Sequence, residues 1–349
     1  MKPILFRISI VVAALILVIL LYGVAPIRFF SFDFFQIVNA SLFKEFGTHR
    51  SFGSRIILLN AGTKTPEEIN AYIKLIRRTH PSSIGVNLCY LTTEFETIKD
   101  QHKNDKLIVF ADCTIPNYGL GRIVNIDNSV THFQSDLRDS FERRLLKYSA
   151  PSKAETERIN YYAWPAFHAV ELDSQKFDYD LFTGSIVLIG YLGDYLVGSD
   201  ESPTFKKSEL RYFKDARITP MNESYLEPDA VPDMYDIEIS AQIVACLLDQ
   251  SFIKDVSKLT SVAILLAFIL FQTLVMSLVQ NKNILISIGV GLLSYFLIKM
   301  AGSFLIVYLF TEGFYLQLDE LMLLLVIVIV FNLGFNVFRK TSKTPTRSS

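Results

Sequence analysis

Four apolar runs limit what this chain can become: residues 8–25, 259–279, 284–310 and 321–338 hold one charge between them, Lys299. Crossing a bilayer takes about 20 apolar residues at roughly 1.5 Å rise each, and each run is near that length or beyond it. A helix in a soluble core alternates polar and apolar faces, and these runs do not. Four transmembrane helices are therefore expected, one N-terminal and three C-terminal. The first run also resembles a secretory signal, with Lys2 and Arg7 before an apolar core. The YGVAP that follows is a poor cleavage site because Pro26 crowds it, so an uncleaved anchor is the preferred reading.

Basic residues set the expected orientation. Lys2 and Arg7 precede the first run, Lys282 sits in the QNKN turn, and Arg339, Lys340, Lys343 and Arg347 follow the last run. The turn between the third and fourth runs carries Glu312, Asp319 and Glu320 with no basic residue. Both termini and the QNKN turn are thus expected in the cytoplasm, with the chain a multi-pass protein of the plasma (inner) membrane. The division is an anchor at 1–28, an extracytoplasmic domain at 29–258, a three-helix bundle at 259–338 and a basic tail at 339–349. Composition agrees: 20% of residues are charged, below the roughly 25% of soluble proteins. A net charge of −1 excludes a general nucleic-acid binder, and three cysteines exclude a Cys-rich zinc module.

The segment between the first two runs reads as α/β or α+β, a mixed sheet flanked by helices. RIILLN (55–60) is a short buried strand. Thr65 then caps a helix with Pro66 at its first position, and Ile69, Ile73 and Ile76 give that helix one apolar face. SIGVNLCYL (83–91) reads as a second strand, so the three elements form a βαβ unit with a parallel pair. KLIVFAD and GRIVNID are further strand-like runs, SDLRDSFERRLLKY (135–148) has helix character, and RINYYAWPAF looks extended. GSIVLIGYLG (184–193) is the strongest buried strand, and YDIEISAQIVACLLDQ (235–250) is a helix that leads almost directly to the second apolar run.

Several of these segments, in this order, resemble the type-two CHASE domain, an extracytoplasmic sensory domain attached to bacterial cyclases and kinases. RIILLN and HPSSIGVNL match its strand pair, GRIVNIDNSVTHF its central element, and GSIVLIGYLG, RITPMN and PDMYDIEISAQIVACLLDQSFI its end. The resemblance covers about residues 30–258, and the order of membrane runs is similar too. It implies a sensory role. Asn87 stands where the family often has Asp, Asp236 where Gly is usual, and Ser240 where His is usual. These departures either abolish or retune a family site. About 11 residues follow Phe338, far short of the roughly 100 that a kinase or cyclase domain needs. A separate membrane or signalling protein is therefore expected to supply the output.

Catalytic motifs are absent from the sequence. None of His49, His80, His102, His132 and His168 stands in H-E-x-x-H, and there is no G-x-S-x-G or P-loop. No enzymatic activity, cofactor or metal is expected. Residues 200–233 form a long polar stretch with four prolines, and loops of that length are commonly functional. With the edge before it, this stretch supplies Asp194, Asp215, Thr219 and Asn222 as candidate contacts to a small extracytoplasmic ligand. Carboxylates there could also hold a hard cation, but a solvated loop is preferred. In the membrane, Lys299 could pair with Asp319 or Glu320, and Asn332 and Asn336 share one helical face that could join helices. Cys89, Cys113 and Cys246 are expected as buried free thiols, with a Cys89–Cys113 disulfide as the alternative. The functional expectation is a membrane-anchored sensory module. The alternative is a structural or assembly subunit of a membrane complex.

Overall fold

The computed structural model describes residues 55–62, 64–113, 122–124, 130–134, 140–147, 156–162, 167–172, 179–193, 216–219, 233–279, 284–316 and 334. The chain divides into two compact units, one of Gln36–Lys254 and one of Met1–Phe35 with Asp255–Ser349.

The larger unit is built on a five-stranded sheet. In chain order its strands are β1 (Ile56–Asn60), β2 (Ser83–Asn87), β3 (Ile108–Phe110), β7 (His168–Glu171) and β8 (Ile186–Gly190). Their spatial order is β3-β2-β8-β1-β7, and every neighbouring pair is parallel. A parallel sheet needs crossovers that cover both faces, so its strands read as unbroken apolar runs. IILLN and IVLIG are such runs, buried at every position.

Helices α1 (Pro66–Arg77) and α2 (Thr92–His102) cover one face. Ile69, Ile73 and Ile76 of α1 and Phe95 and Ile98 of α2 meet Ile57, Leu59, Ile84, Val86, Val187 and Ile189 in one buried cluster. The start of α1 is as its sequence suggests. The Glu68 N–H donates to the Thr65 hydroxyl at 3.3 Å, and the Thr65 N–H donates to the Glu68 carboxylate at 2.8 Å. That backbone hydrogen bond holds the exposed Glu68 carboxyl below its usual pKa.

Helices α3 (Phe141–Leu146) and α4 (Asp236–Asp249) pack on the other face. Gly85 in β2 leaves room for α3: a Cβ there would lie 2.7 Å from Leu188 and 2.8 Å from Phe141. Strands β4 (Arg122–Val124), β5 (Val130–Gln134) and β6 (Thr156–Arg158) form a separate antiparallel sheet. Strands β9 (Ala216–Arg217) and β10 (Met234–Tyr235) form a short antiparallel ribbon before α4. The α/β class agrees with the sequence reading. The expected mixed sheet is instead a wholly parallel sheet with the antiparallel strands set apart. Strand β7 did not stand out in the sequence because HAVE is short and only partly buried.

The cysteine expectation needs correction. Cys89 and Cys113 form a disulfide, and Cys246 is the buried free thiol. Register explains the pairing. Val86 of β2 lies beside Phe110 of β3, and three residues further on each chain leaves the sheet next to the other. Cys89 is therefore in a turn, Cys89–Leu91, rather than a strand, and its Cα is 5.2 Å from that of Cys113.

In the smaller unit, α5 (Lys258–Leu278) starts at Ser257, whose hydroxyl accepts the Thr260 N–H at 3.1 Å. Helix α6 (Ile284–Thr311) follows. Leu259–Leu278 and Leu285–Thr311, of 20 and 27 residues, are long and apolar enough to cross a membrane. Leu270, Phe271, Leu274, Leu292, Phe296 and Phe304 are exposed on them, whereas Ser261, Gln272, Ser287 and Ser294 are buried. The other expected spans, 8–25 and 321–338, lie outside the described residues, apart from Gly334.

Two outcomes follow from the domain's packing. The disulfide closes a separation of 24 residues, so Cys89→Ala with Cys113→Ala is expected to cost about 3 kcal/mol, read from denaturant midpoints of the full chain in detergent. His102, stacked on Phe110 and hydrogen-bonded to Asn70 Oδ1 at 2.6 Å, has a lowered pKa. Burial is the main cause, and Lys74 adds to it. The unfolded chain then takes up a proton near the ordinary value of 6.5 that the folded chain takes up only at lower pH. Stability is expected to fall as pH drops below about 6.5, and His102→Gln to flatten that part of the stability–pH curve.

Candidate functional site: the α4 helix and its exit

Asn60 closes the carboxyl end of β1. Its Nδ2 donates to Glu171 at 2.7 Å and to the Gly193 carbonyl at 2.8 Å. Its Oδ1 accepts the N–H groups of Gly62 at 3.0 Å and Leu192 at 2.9 Å. All the hydrogen-bonding capacity of a buried amide is used, so Asn60 ties the ends of β1, β7 and β8 together. Beside it, Asn87 ends β2 in register with Gly190 of β8. A Cβ at Gly190 would meet Ile237 at 2.8 Å and the Asn87 carbonyl at 3.1 Å. In doubly wound folds this edge is a common ligand position. Here Asn60 and Ile237 fill the parts next to β1 and β8.

Helix α4 starts at that edge and runs antiparallel to the strands. Ile237 abuts the end of β8, and Asp249 at the other end pairs with Arg55, just before β1, at 3.8 Å. All residues from Asp236 to Leu247 are buried, and polar contacts hold the helix along its length. Asp236 lies 3.4 Å from Arg217, and Glu238 accepts the Tyr235 N–H at 2.7 Å. Ser240 donates to the fully buried Glu142 of α3 at 3.0 Å. Gln242 accepts the Tyr162 N–H at 2.9 Å and donates to the Tyr162 carbonyl at 3.2 Å. The Cys246 thiol donates to the Asn160 carbonyl at 3.3 Å.

The segment after α4 is held as well. Gln250 adopts a left-handed conformation, φ 51°, and ends the helix. Arg158 of β6 and Ile253 exchange both backbone hydrogen bonds, at 3.2 and 3.0 Å. Phe252 stacks on Phe133 with centroids 5.9 Å apart, and the Tyr162 hydroxyl meets that of Ser251. The small antiparallel sheet thus grips the chain just before α5.

Of the residues singled out in the sequence, Thr219 is fully buried. Its N–H and hydroxyl donate to the two oxygens of Asp233, at 2.7 and 2.6 Å. It ties the two ends of segment 220–232 to each other. Asp194, Asp215 and Asn222 lie outside the described residues. So do Asn332 and Asn336, and Asp319 and Glu320, the carboxylates considered for Lys299. Lys299 itself lies on α6 and is half-buried. Asp236 and Ser240, where the CHASE-like pattern departs, hold α4 in place. Among the described residues no cluster of three His, Cys, Asp or Glu side chains could hold a metal ion.

Asn60, Glu142, Tyr162 and Gln242 did not stand out in the sequence. The available signal was a polar residue in an apolar setting: Asn at the end of RIILLN, Gln within IVACLL. No family model matches this sequence, and no curated protein or solved structure matches it.

Gln242→Leu removes both bonds to the buried backbone N–H and C=O of Tyr162. It is expected to cost about 2–4 kcal/mol in chemical denaturation, whereas a substitution at the exposed Glu67 should stay within about 0.5 kcal/mol.

Proposed function

We propose that this chain is a membrane-anchored, extracytoplasmic sensory module related to the type-two CHASE domains. Its proposed role is to bind a signal in the α/β domain and pass it through the membrane helices to a partner that carries the output. The observation that carries this reading is α4: it is buried and polar-tied along its length, and only eight residues separate its last residue from the start of α5. A shift of a packed helix moves as a unit, because close-packed interfaces change between discrete arrangements. The contacts to Arg217, Glu142, Tyr162 and Arg55 connect α4 to four parts of the domain, so a signal felt at any of them can bias its position.

The half-exposed Cys89–Cys113 disulfide supports an oxidising compartment for the domain, since such bonds are rare in a reducing cytoplasm. A cysteine placed at the exposed Glu67 is expected to react with a membrane-impermeant maleimide in intact cells whose outer layers are opened. Protection until the inner membrane is broken would sink the extracytoplasmic reading. Co-purification of the tagged full chain, with crosslinking and mass spectrometry, tests the sensory role. A signalling protein crosslinked at Lys282 or the C-terminal tail is the expected result. Stoichiometric membrane subunits with no signalling protein among them would favour the assembly role instead.

A further inference from the structure

The charges of the α/β domain are sorted along its strands. Helices α1 and α2 both end at the strand-start edge of the sheet, because each leads into the next parallel strand. Lys74, Arg77 and Arg78 lie at the end of α1, Lys103 and Lys106 follow the end of α2, and Arg55 precedes β1. The two groups of cations are close in space, since Lys74 and Arg77 both depress the protonation of His102 on α2. Among the described residues, the carboxylates at this edge are Asp100, Asp105, Asp180 and Asp249. Asp105 pairs with Arg77, and Asp249 with Arg55. Lys74, Arg78, Lys103 and Lys106 are exposed and have no carboxylate partner among the described residues. Basic groups in the last turn of a helix offset its dipole, which accounts for Lys74. Lys103 and Lys106 lie at and beyond the end of α2, and Arg78 caps α1.

Among the described residues, the opposite, strand-end edge carries mainly carboxylates. Glu67, Glu68, Asp112, Glu171, Asp233, Asp236 and Glu238 gather there, against Lys64, Arg217 and Arg144, whose guanidinium donates to the Phe110 carbonyl at the end of β3. The chain as a whole is nearly neutral, with a net charge of −1. The polarity is therefore an arrangement of charges and not a surplus. Helix α4 runs from the acidic edge to the basic one, and the chain continues from the basic edge toward the apolar helices.

We propose that the basic strand-start edge, through Lys74, Arg78, Lys103 and Lys106, docks on the anionic phospholipid headgroups of the membrane in which the chain is anchored. Exposed ammonium and guanidinium groups suit phosphate oxygens, and their attraction to a charged surface extends over about a Debye length. The acidic edge would be repelled by the same surface, so the charge pattern selects one orientation. Docking would fix the exit of α4 with respect to the bilayer. This proposal rests on the membrane-anchored reading above.

The test uses the full chain in nanodiscs of phosphatidylcholine, with or without phosphatidylglycerol. One fluorophore is placed at Asn104→Cys on the basic edge, and in a second sample at Glu67→Cys on the acidic edge. A nitroxide on a fraction of the lipid headgroups quenches probes near the surface. The expected result is quenching several-fold stronger at position 104 than at 67 when phosphatidylglycerol is present. It should fall on addition of salt and in the K74Q/R78Q/K103Q/K106Q variant. Quenching at 104 that ignores phosphatidylglycerol and salt overturns the proposal, as does equal quenching at the two positions. If the variant does not fold, by near-ultraviolet circular dichroism, the lipid and salt series on the unsubstituted edge decides. A chain that fails to enter nanodiscs would overturn the anchored reading, and the docking with it. A chain that enters without headgroup-dependent quenching overturns the docking alone.

Discussion

The larger unit depends on a sheet that is apolar on both faces. Five parallel strands have no solvated side, so every crossover must return over one face or the other and bury itself there. The crossovers through α1 and α2 take one face, and α3 and α4 are left with the second. Nearly everything else about α4 follows from that: it is long, it is covered on all sides, and each polar group it carries must find a partner inside the protein. Gly85 and Gly190 mark where the second layer comes closest to the strands.

Polar residues inside such a layered core restrict how it can rearrange. Close packing along α4 already resists sliding. The Ser240–Glu142 bond and the paired bonds between Gln242 and Tyr162 fix its register further, because each has one favourable geometry. The result is a helix with a defined register against α3 and against the segment before Tyr162.

Much of this architecture was legible in the sequence. Thr65 and Pro66 announced α1, and the unbroken apolar character of IILLN and IVLIG announced strands buried on both faces. The all-parallel pairing was not legible, since a run of apolar residues says that a strand is central and not which neighbour it takes. The Cys89–Cys113 bond stood only as the alternative for the same reason: it depends on β2 lying beside β3, which sequence spacing does not encode. The polar ties of α4 were hidden more deeply. Ser240 and Gln242 look like dilution of an apolar helix until the partners, 98 and 80 residues away in the chain, are in place.

The grip on Ile253 has a mechanical meaning. On a pull from the α5 side, the reciprocal backbone bonds between Ile253 and Arg158 and the ring stack behind them stand between that load and the last turn of α4. Only after these gave way would tension reach the last turn of α4. The small antiparallel sheet therefore acts as a strain relief, as a clamp does on a cable, and keeps the helix from unwinding under load.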